Sequence, residues 1–354
     1  MISNTKFLSR PQQSSEQTVR PLGGRGRDRW RRRLVAGDLV EVRPWTEIRA
    51  TLGGDGSRDA LPFTPEMLPY CGRRFVVSKR IERTCEGASG NMRRIRDTVF
   101  LDDLRCDGWA HGGCQLRCAI FWKEAWLKKL DKNAARQAGS SPEAPVDPPM
   151  VYPYPCRGAD GRYVCQSTEL RRATTALSPL DVRCYLRDIR ARTYSPGQLA
   201  RVVSYALFLR LRKYVTGQSY RFLPGRRQDT TPQESLNLQA GDQVRIKSQE
   251  EIAETLNQRG ENRGLAFTVE MLPFCGQTAR VLNRVDRMID DKTGELMDIK
   301  NTVILESVIC DGCHILRGGC PRANFHLWRE IWLKRVERSD QPTARSSASP
   351  RETA

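Results

Sequence analysis

The sequence predicts a mainly β protein with helical inserts: two tandem SH3-like small β-barrels joined by a linker and a two-helix segment. Three observations carry the prediction. One long segment occurs twice, each copy alternates apolar and polar residues in short β-branched runs, and the stretch between the copies reads as helix.

The duplication comes first. "GDLVEVRPWTEIRATL" from Gly37 matches "GDQVRIKSQEEIAETL" from Gly241, and "LPFTPEMLPYCG" matches "LAFTVEMLPFCG". "IRDTVFLDDLRCDG" matches "IKNTVILESVICDG", and "FWKEAWLKKL" matches "LWREIWLKRV". The register holds at 204 residues from Gly37/Gly241 through Cys71/Cys275 to Cys106/Cys310, then becomes 206 at Cys114/Cys320 and Trp126/Trp332. One gap inside the cysteine loop aligns everything else, so chance is no rival to internal duplication.

The elements follow in order. Residues 1–36 hold nine Lys or Arg against two acids and read as a disordered basic arm. Its Arg25, Arg27, Arg29, Arg31, Arg32 and Arg33 are the candidate contacts to a nucleic-acid backbone. Copy one spans 37–130 and copy two 237–337. "DLVEVR" and "DQVRIK" alternate as half-buried strands, and "EEIAETL" is a short helix behind the second. "RRFVVSKRIERT", "ARVLNRVDRMI", "DTVFLDDL" and "NTVILESVI" are further strands. "DDKTGEL" closes a hairpin with Gly294 in the left-handed position, and "EGASGNM" takes that place in copy one. In "EIWLKRV", Trp328, Ile331 and Trp332 suit a helix, whereas Ile331 and Leu333 alternate as in a strand, the reading preferred here.

Residues 131–150 form a Pro/Ala/Ser linker. The segment 151–236 opens with Cys156 and Cys165 around a Gly-rich turn and continues in two helices, capped at Ser178-Pro179 and Ser195-Pro196. The second helix carries Leu199, Val202, Val203, Ala206, Leu207, Leu211 and Tyr214 on one stripe, expected to pack on a barrel. Residues 338–354 read as a disordered tail.

The order of strands resembles the SH3-like barrels of KOW-type translation modules and of the nitrile hydratase β-subunit, in pattern only. The chain as a whole resembles a bacterial family built around "EMxxYCG … CDG … CPR … WREIWLKRV", over roughly residues 37–336. That resemblance implies the repeated module and brings no activity with it.

The cysteines carry the chemistry. Twelve in 354 residues is a high count for a chain with no apolar N-terminal segment and an expected cytoplasmic location, where thiols stay reduced. Copy one offers Cys71, Cys106, Cys114 and Cys118 with His111, and copy two offers Cys275, Cys310, Cys313 and Cys320 with His314. All three histidines, His326 included, fall in or just after these clusters. Zinc needs four such donors at tetrahedral corners, and short glycine-containing loops such as "CDG" and "GGC" can supply them. Cys71/Cys275, Cys106/Cys310 and Cys114/Cys320 recur, while the fourth ligand differs: His111 or Cys118 in copy one, Cys313 or His314 in copy two. An iron–sulfur cluster is the less favoured metal, because no ferredoxin-like spacing occurs. Cys156 and Cys165 are a further half-site or the missing donor. Cys85 and Cys184 stand apart and read as buried small hydrophobes.

No nucleophile elbow, P-loop or HExxH is found. Asp107 and Asp311 recur beside the metal cysteines but read as turn caps. The net charge of +18 and the missing catalytic set point to a non-enzymatic, zinc-stabilised adaptor that presents basic surfaces to a protein or nucleic-acid partner. An accessory protein of biosynthetic or metalloenzyme assembly is the first alternative, and a metal-dependent enzyme the second. No apolar run is long enough to span a membrane.

Overall fold

A computed structural model describes residues 33–86, 91–131, 152–177, 181, 183–217, 222–310 and 320–336. Of the candidate basic contacts only Arg33 is described. Arg25, Arg27, Arg29, Arg31 and Arg32 lie outside the described residues, as do Cys313, His314, Asp311, the "EGASGNM" turn tip and the Ser178 cap.

Alternation in the sequence becomes strand structure with one face inward. In β1 (Leu39–Val42) Val40 and Val42 are buried while Leu39 and Glu41 are not. A short helix α1 (Trp45–Arg49) follows, then the hairpin β2 (Ser57–Arg58) and β3 (Leu61–Pro62), and a 3₁₀ turn Pro65–Tyr70. The long strands β4 (Arg74–Glu86) and β5 (Asn91–Leu101) pair antiparallel, and β6 (Trp122–Lys123) and β7 (Leu127–Lys129) complete the sheet. The sheet order is β6-β5-β4-β1-β7, and β8 (Thr175–Ala176) of the middle segment adds to β5.

Copy two repeats the plan. It runs β9 (Gln243–Ile246), helix α4 (Gln249–Ala253), the pair β10 (Glu261–Asn262) and β11 (Leu265–Ala266), then a 3₁₀ turn Val269–Phe274. β12 (Thr278–Arg284), the hairpin β13 (Arg287–Ile289) and β14 (Leu296–Asp298), β15 (Thr302–Ile309), β16 (Phe325–Arg329) and β17 (Leu333–Arg335) follow. Its main sheet is β16-β15-β12-β9-β17, the same order as in copy one. The β13–β14 hairpin turns with Gly294 at φ +73, as the sequence predicts. The ambiguous "EAW" and "EIW" are single 3₁₀ turns, each leading directly into a strand.

The aromatic centres of the two cores match. Phe63 meets Trp122 and Trp126 edge-on at 6.2 and 5.3 Å, and Phe267 meets Trp328 and Trp332 at 5.9 and 5.3 Å. Each second indole N–H donates to a threonine hydroxyl, Trp126 to Thr51 at 3.2 Å and Trp332 to Thr255 at 3.0 Å. An Arg–Glu pair with one buried member closes each core: buried Arg80 with half-buried Glu124, and half-buried Arg284 with buried Glu330 at 2.6 Å.

Helix α2 (Arg183–Arg190) docks on β4 through a fully buried pair, Arg83 Nε to Asp188 Oδ2 at 2.9 Å. Helix α3 (Pro196–Thr216) starts as expected, with Ser195 and Gln198 exchanging hydrogen bonds at 3.2 and 3.0 Å. Its apolar stripe does not pack as expected. Leu199 is buried and Val203 half-buried, but Leu207, Leu211 and Tyr214 are exposed. Amphipathy specifies an apolar face; it does not specify what covers it. No helix among the described residues is long and apolar enough to cross a membrane.

Candidate metal centre

Each copy gathers one carboxylate, one thiol and one imidazole. Ligand atoms of Glu66, Cys106 and His111 all lie within 4.8 Å of one another, and so do those of Glu270, Cys310 and His326.

In copy one the 3₁₀ turn buries Glu66, on the inner side of an otherwise apolar "PEMLPY". The "CDGWAHGGC" loop folds onto it. Ala110 N–H donates to Glu66 Oε1 at 3.2 Å, and His111 Nδ1 lies 2.5 Å from the same oxygen. Gly108 makes the fold of the loop possible: at φ +72, a Cβ there would stand 2.0 Å from the Cys114 carbonyl oxygen. Asp107 caps the turn, accepting from Trp109 N–H at 3.2 Å. The other ring nitrogen of His111, Nε2, lies 3.1 Å from the Val164 carbonyl. Val164 is held there because Gln166 locks the middle segment to copy one, donating to the Pro62 and Phe121 carbonyls and accepting from Phe121 N–H.

This geometry suits a cation. With Nε2 on a backbone carbonyl, Nδ1 is the ring nitrogen that faces Glu66 and could turn to a metal on losing its proton, a common outer-shell arrangement of a metal-bound histidine. Glu66 Oε2 is buried and makes no hydrogen bond among the described residues. Burial pushes the Glu66 carboxyl up, but the hydrogen bond and charge of His111 outweigh it and hold the group below its ordinary value. The 2.5 Å separation is that of a shared proton. A metal ion held by both atoms would take the place of that proton.

A cavity of about 50 Å³ adjoins the group, lined by Cys106, His111, Cys114, Cys118 and Cys165 among others. Burial raises the thiols of Cys106 and Cys114, and that of Cys165 to about 11. Ile289, from the β13–β14 hairpin of copy two, also lines it, and the hairpin is tied down by Gln115, which accepts from Asp286 N–H at 2.7 Å.

The residues predicted from sequence are thus partly brought together. Cys106, His111, Cys114 and Cys118 share one region, and Cys165 joins them. Cys71 and Cys275 belong to neither three-residue group; both are half-buried and pack against the two apolar cores. The distant turn does supply a donor, but it is Glu66 or Glu270, five residues before the cysteine. Cys320 stands apart from its counterpart Cys114: its sulfur lies 3.0 Å from that of Cys85 in copy one. The hydrogen bond from Cys85, against burial, lowers Cys320 to about 6, while the same bond and burial raise Cys85. Cys85 is therefore no isolated core residue. Cys184 is buried, as expected.

His326 is the instructive case. It lies on β16 and aligns with Ile120, just before β6, whereas His111 sits in the loop opposite Arg317. The two copies place an imidazole beside equivalent Glu and Cys residues from different positions in the chain.

Comparison of the chain with family models, with curated relatives and with solved structures gives no match.

Proposed function

We propose that the protein is a non-enzymatic, zinc-stabilised binding protein: two SH3-like barrels, each pinned by its own ion, that present basic surfaces to a partner. One observation carries the reading. The Glu–Cys–His group recurs in both copies although the histidine comes from a loop in one and a strand in the other. A core residue recurs in register because its neighbours do; an imidazole reached by two routes is there for what its nitrogen binds.

The donor set of oxygen, nitrogen and sulfur suits zinc, a borderline ion. An iron–sulfur cluster calls for several thiolates; Cys114, Cys118 and Cys165 stand near Cys106 in copy one, but each recurring group itself pairs a single thiol with a carboxylate and an imidazole, which suits a single ion better. In copy one Cys114, Cys118 or Cys165 supplies the fourth donor. A Cys–His–Glu nucleophile is the rival reading of the same residues, and two features speak against it. His111 Nε2 faces a carbonyl rather than the thiol, and burial raises Cys106 where an activated cysteine is lowered.

Elemental mass spectrometry of freshly purified protein tests the proposal. Two zinc ions per chain, with chelation lowering Tm, is the expected result; metal-free protein of full stability refutes it. Oligonucleotide binding that falls steeply with salt identifies the partner as nucleic acid, and its absence at low salt leaves a protein partner.

A further inference from the structure

The duplication also exposes a change of charge. In copy one, Lys123 at the end of β6 donates to the Arg96 carbonyl at 3.1 Å and pairs with Asp59 at 3.0 Å. Asp59 sits on the β2–β3 turn in left-handed backbone, φ 50. Copy two repeats each part except the acid. Arg329 takes the place of Lys123 and donates to the Lys300 carbonyl at 2.6 Å, the Arg263 carbonyl at 2.9 Å and the Thr302 hydroxyl at 3.1 Å. The position of Asp59 belongs to Arg263, at φ 47.

The buried cation of this position has therefore a second cation beside it in copy two, where copy one gives it a counter-ion. Arg329 is 8% exposed, and its Nε makes no hydrogen bond among the described residues. Burial and the nearby Arg263 both work against its charge. A buried charge is normally paired, so this arrangement is incomplete as it stands.

What adjoins it is a cavity of about 550 Å³. Arg263, Lys300 and Arg329 form the cationic part of its wall, and Met288, Met297 and Ile331 the apolar part. The Asn301 Nδ2, buried without a hydrogen bond among the described residues, adds a neutral donor. Two acids border the cavity, but each has its own cation: Glu234 pairs with Lys247 at 3.2 Å and Asp298 with Arg287 at 3.3 Å. The volume is that of a small-molecule site, commonly about 300–1,000 Å³.

We propose that this cavity of copy two binds a small molecule with an oxyanion head, phosphate or carboxylate, on an apolar body. The head lies against Arg263 and Lys300, over the field of Arg329, and the body against the two methionines. The missing carboxylate of copy two is thus supplied by a ligand.

The test uses the full chain at constant ionic strength, titrated calorimetrically with inorganic phosphate and, separately, with benzoate. Saturable binding and a rise in Tm are expected. Arg263→Asp installs the residue of copy one, pairs Arg329 internally and weakens binding at least about tenfold with the fold intact. Lys300→Gln weakens it without reversing any charge, and Arg259→Asp, an exposed cation outside the cavity, leaves it unchanged. Phosphate binding alone assigns a phosphate head; benzoate binding alone assigns a carboxylate. Absence of binding by either probe up to roughly 10 mM overturns the proposal. So does an Arg263→Asp protein that binds as well as the parent.

Discussion

His111→Ala should remove the ion of copy one alone, and adding Ile120→His should return it. The second half follows from copy two, where the strand position equivalent to Ile120 is His326. Ile120 is 3% exposed and lines the cavity beside Cys106, so an imidazole there reaches the same space. The apparent binding energy of a structural zinc ion, about 10–16 kcal/mol over four ligands, gives about 3 kcal/mol per ligand. Loss of one ligand then weakens copy one roughly a hundredfold, at about 1.4 kcal/mol per factor of ten. Removing the imidazole also takes from the buried Glu66 carboxylate its charged partner, which costs a further 1–3 kcal/mol or so in stability. Competition with a chromophoric chelator reads the affinity per ion, and far-UV circular dichroism confirms the fold. One tight ion in His111→Ala and two in the double variant is the expected pattern. Two tight ions in His111→Ala would refute the ligand assignment. A folded double variant still holding one ion would refute the equivalence of the two histidines.

Three further outcomes are expected. Diamide, which takes up both thiol hydrogens as it is reduced, should join Cys85 to Cys320 as a disulfide, seen as one cross-linked peptide pair. Closing a loop across 235 positions should then raise stability by roughly 2–5 kcal/mol, and Cys85→Ser should abolish both effects. Burial raises Asp188 to about 6 against the pull of Arg83, so between the ordinary 3.8 and that value the folded chain keeps a proton the unfolded chain has lost. Stability from this group is therefore greatest below that window and falls by at most about 3 kcal/mol as pH rises through it. Urea unfolding from pH 4 to 7 should show that slope, and Asp188→Asn should flatten it; equal slopes would exclude the assignment. Glu330 is fully buried and accepts from Leu236, Asn237 and Leu238 N–H at 2.6, 3.0 and 3.1 Å as well as from Arg284. Glu330→Ala should cost about 3–5 kcal/mol, whereas the exposed Glu306→Ala should stay within about 0.5 kcal/mol of the parent by denaturant unfolding.

The strands were legible because their evidence is local. Period-two alternation in "DLVEVR" needs no knowledge of the partner strand, and the repeat doubles each reading. The site was legible only in part. Glu66 was on view in "FTPEMLPYCG", but an acid in the first turn of a short helix is ordinarily a surface residue. Only the folding of the cysteine loop onto it turns it inward. The signal available was its recurrence as Glu270 within an equally apolar turn. His326 was missed as the partner of His111 because linear alignment compares positions, whereas a site compares points in space. The Cys85–Cys320 contact joins residues 235 apart, from different copies, and nothing local marks it.

Two differences between the copies bear on what each does. Copy one gathers Cys114, Cys118 and Cys165 beside its Glu–Cys–His group and neutralises Lys123 with Asp59. In copy two Cys320 has turned to Cys85, and Arg263 has replaced the acid. Among the described residues, both changes withdraw from copy two a group that copy one has: a thiol in one case, a carboxylate in the other. The shared core of Phe267, Trp328 and Trp332 holds the second frame in place regardless, since its packing repeats that of Phe63, Trp122 and Trp126. Stability can thus rest on the common core and on the self-sufficient first copy, while the second keeps an unneutralised cation beside a cavity. If the cavity binds as proposed, the first copy acts as the support and the second as the binding module.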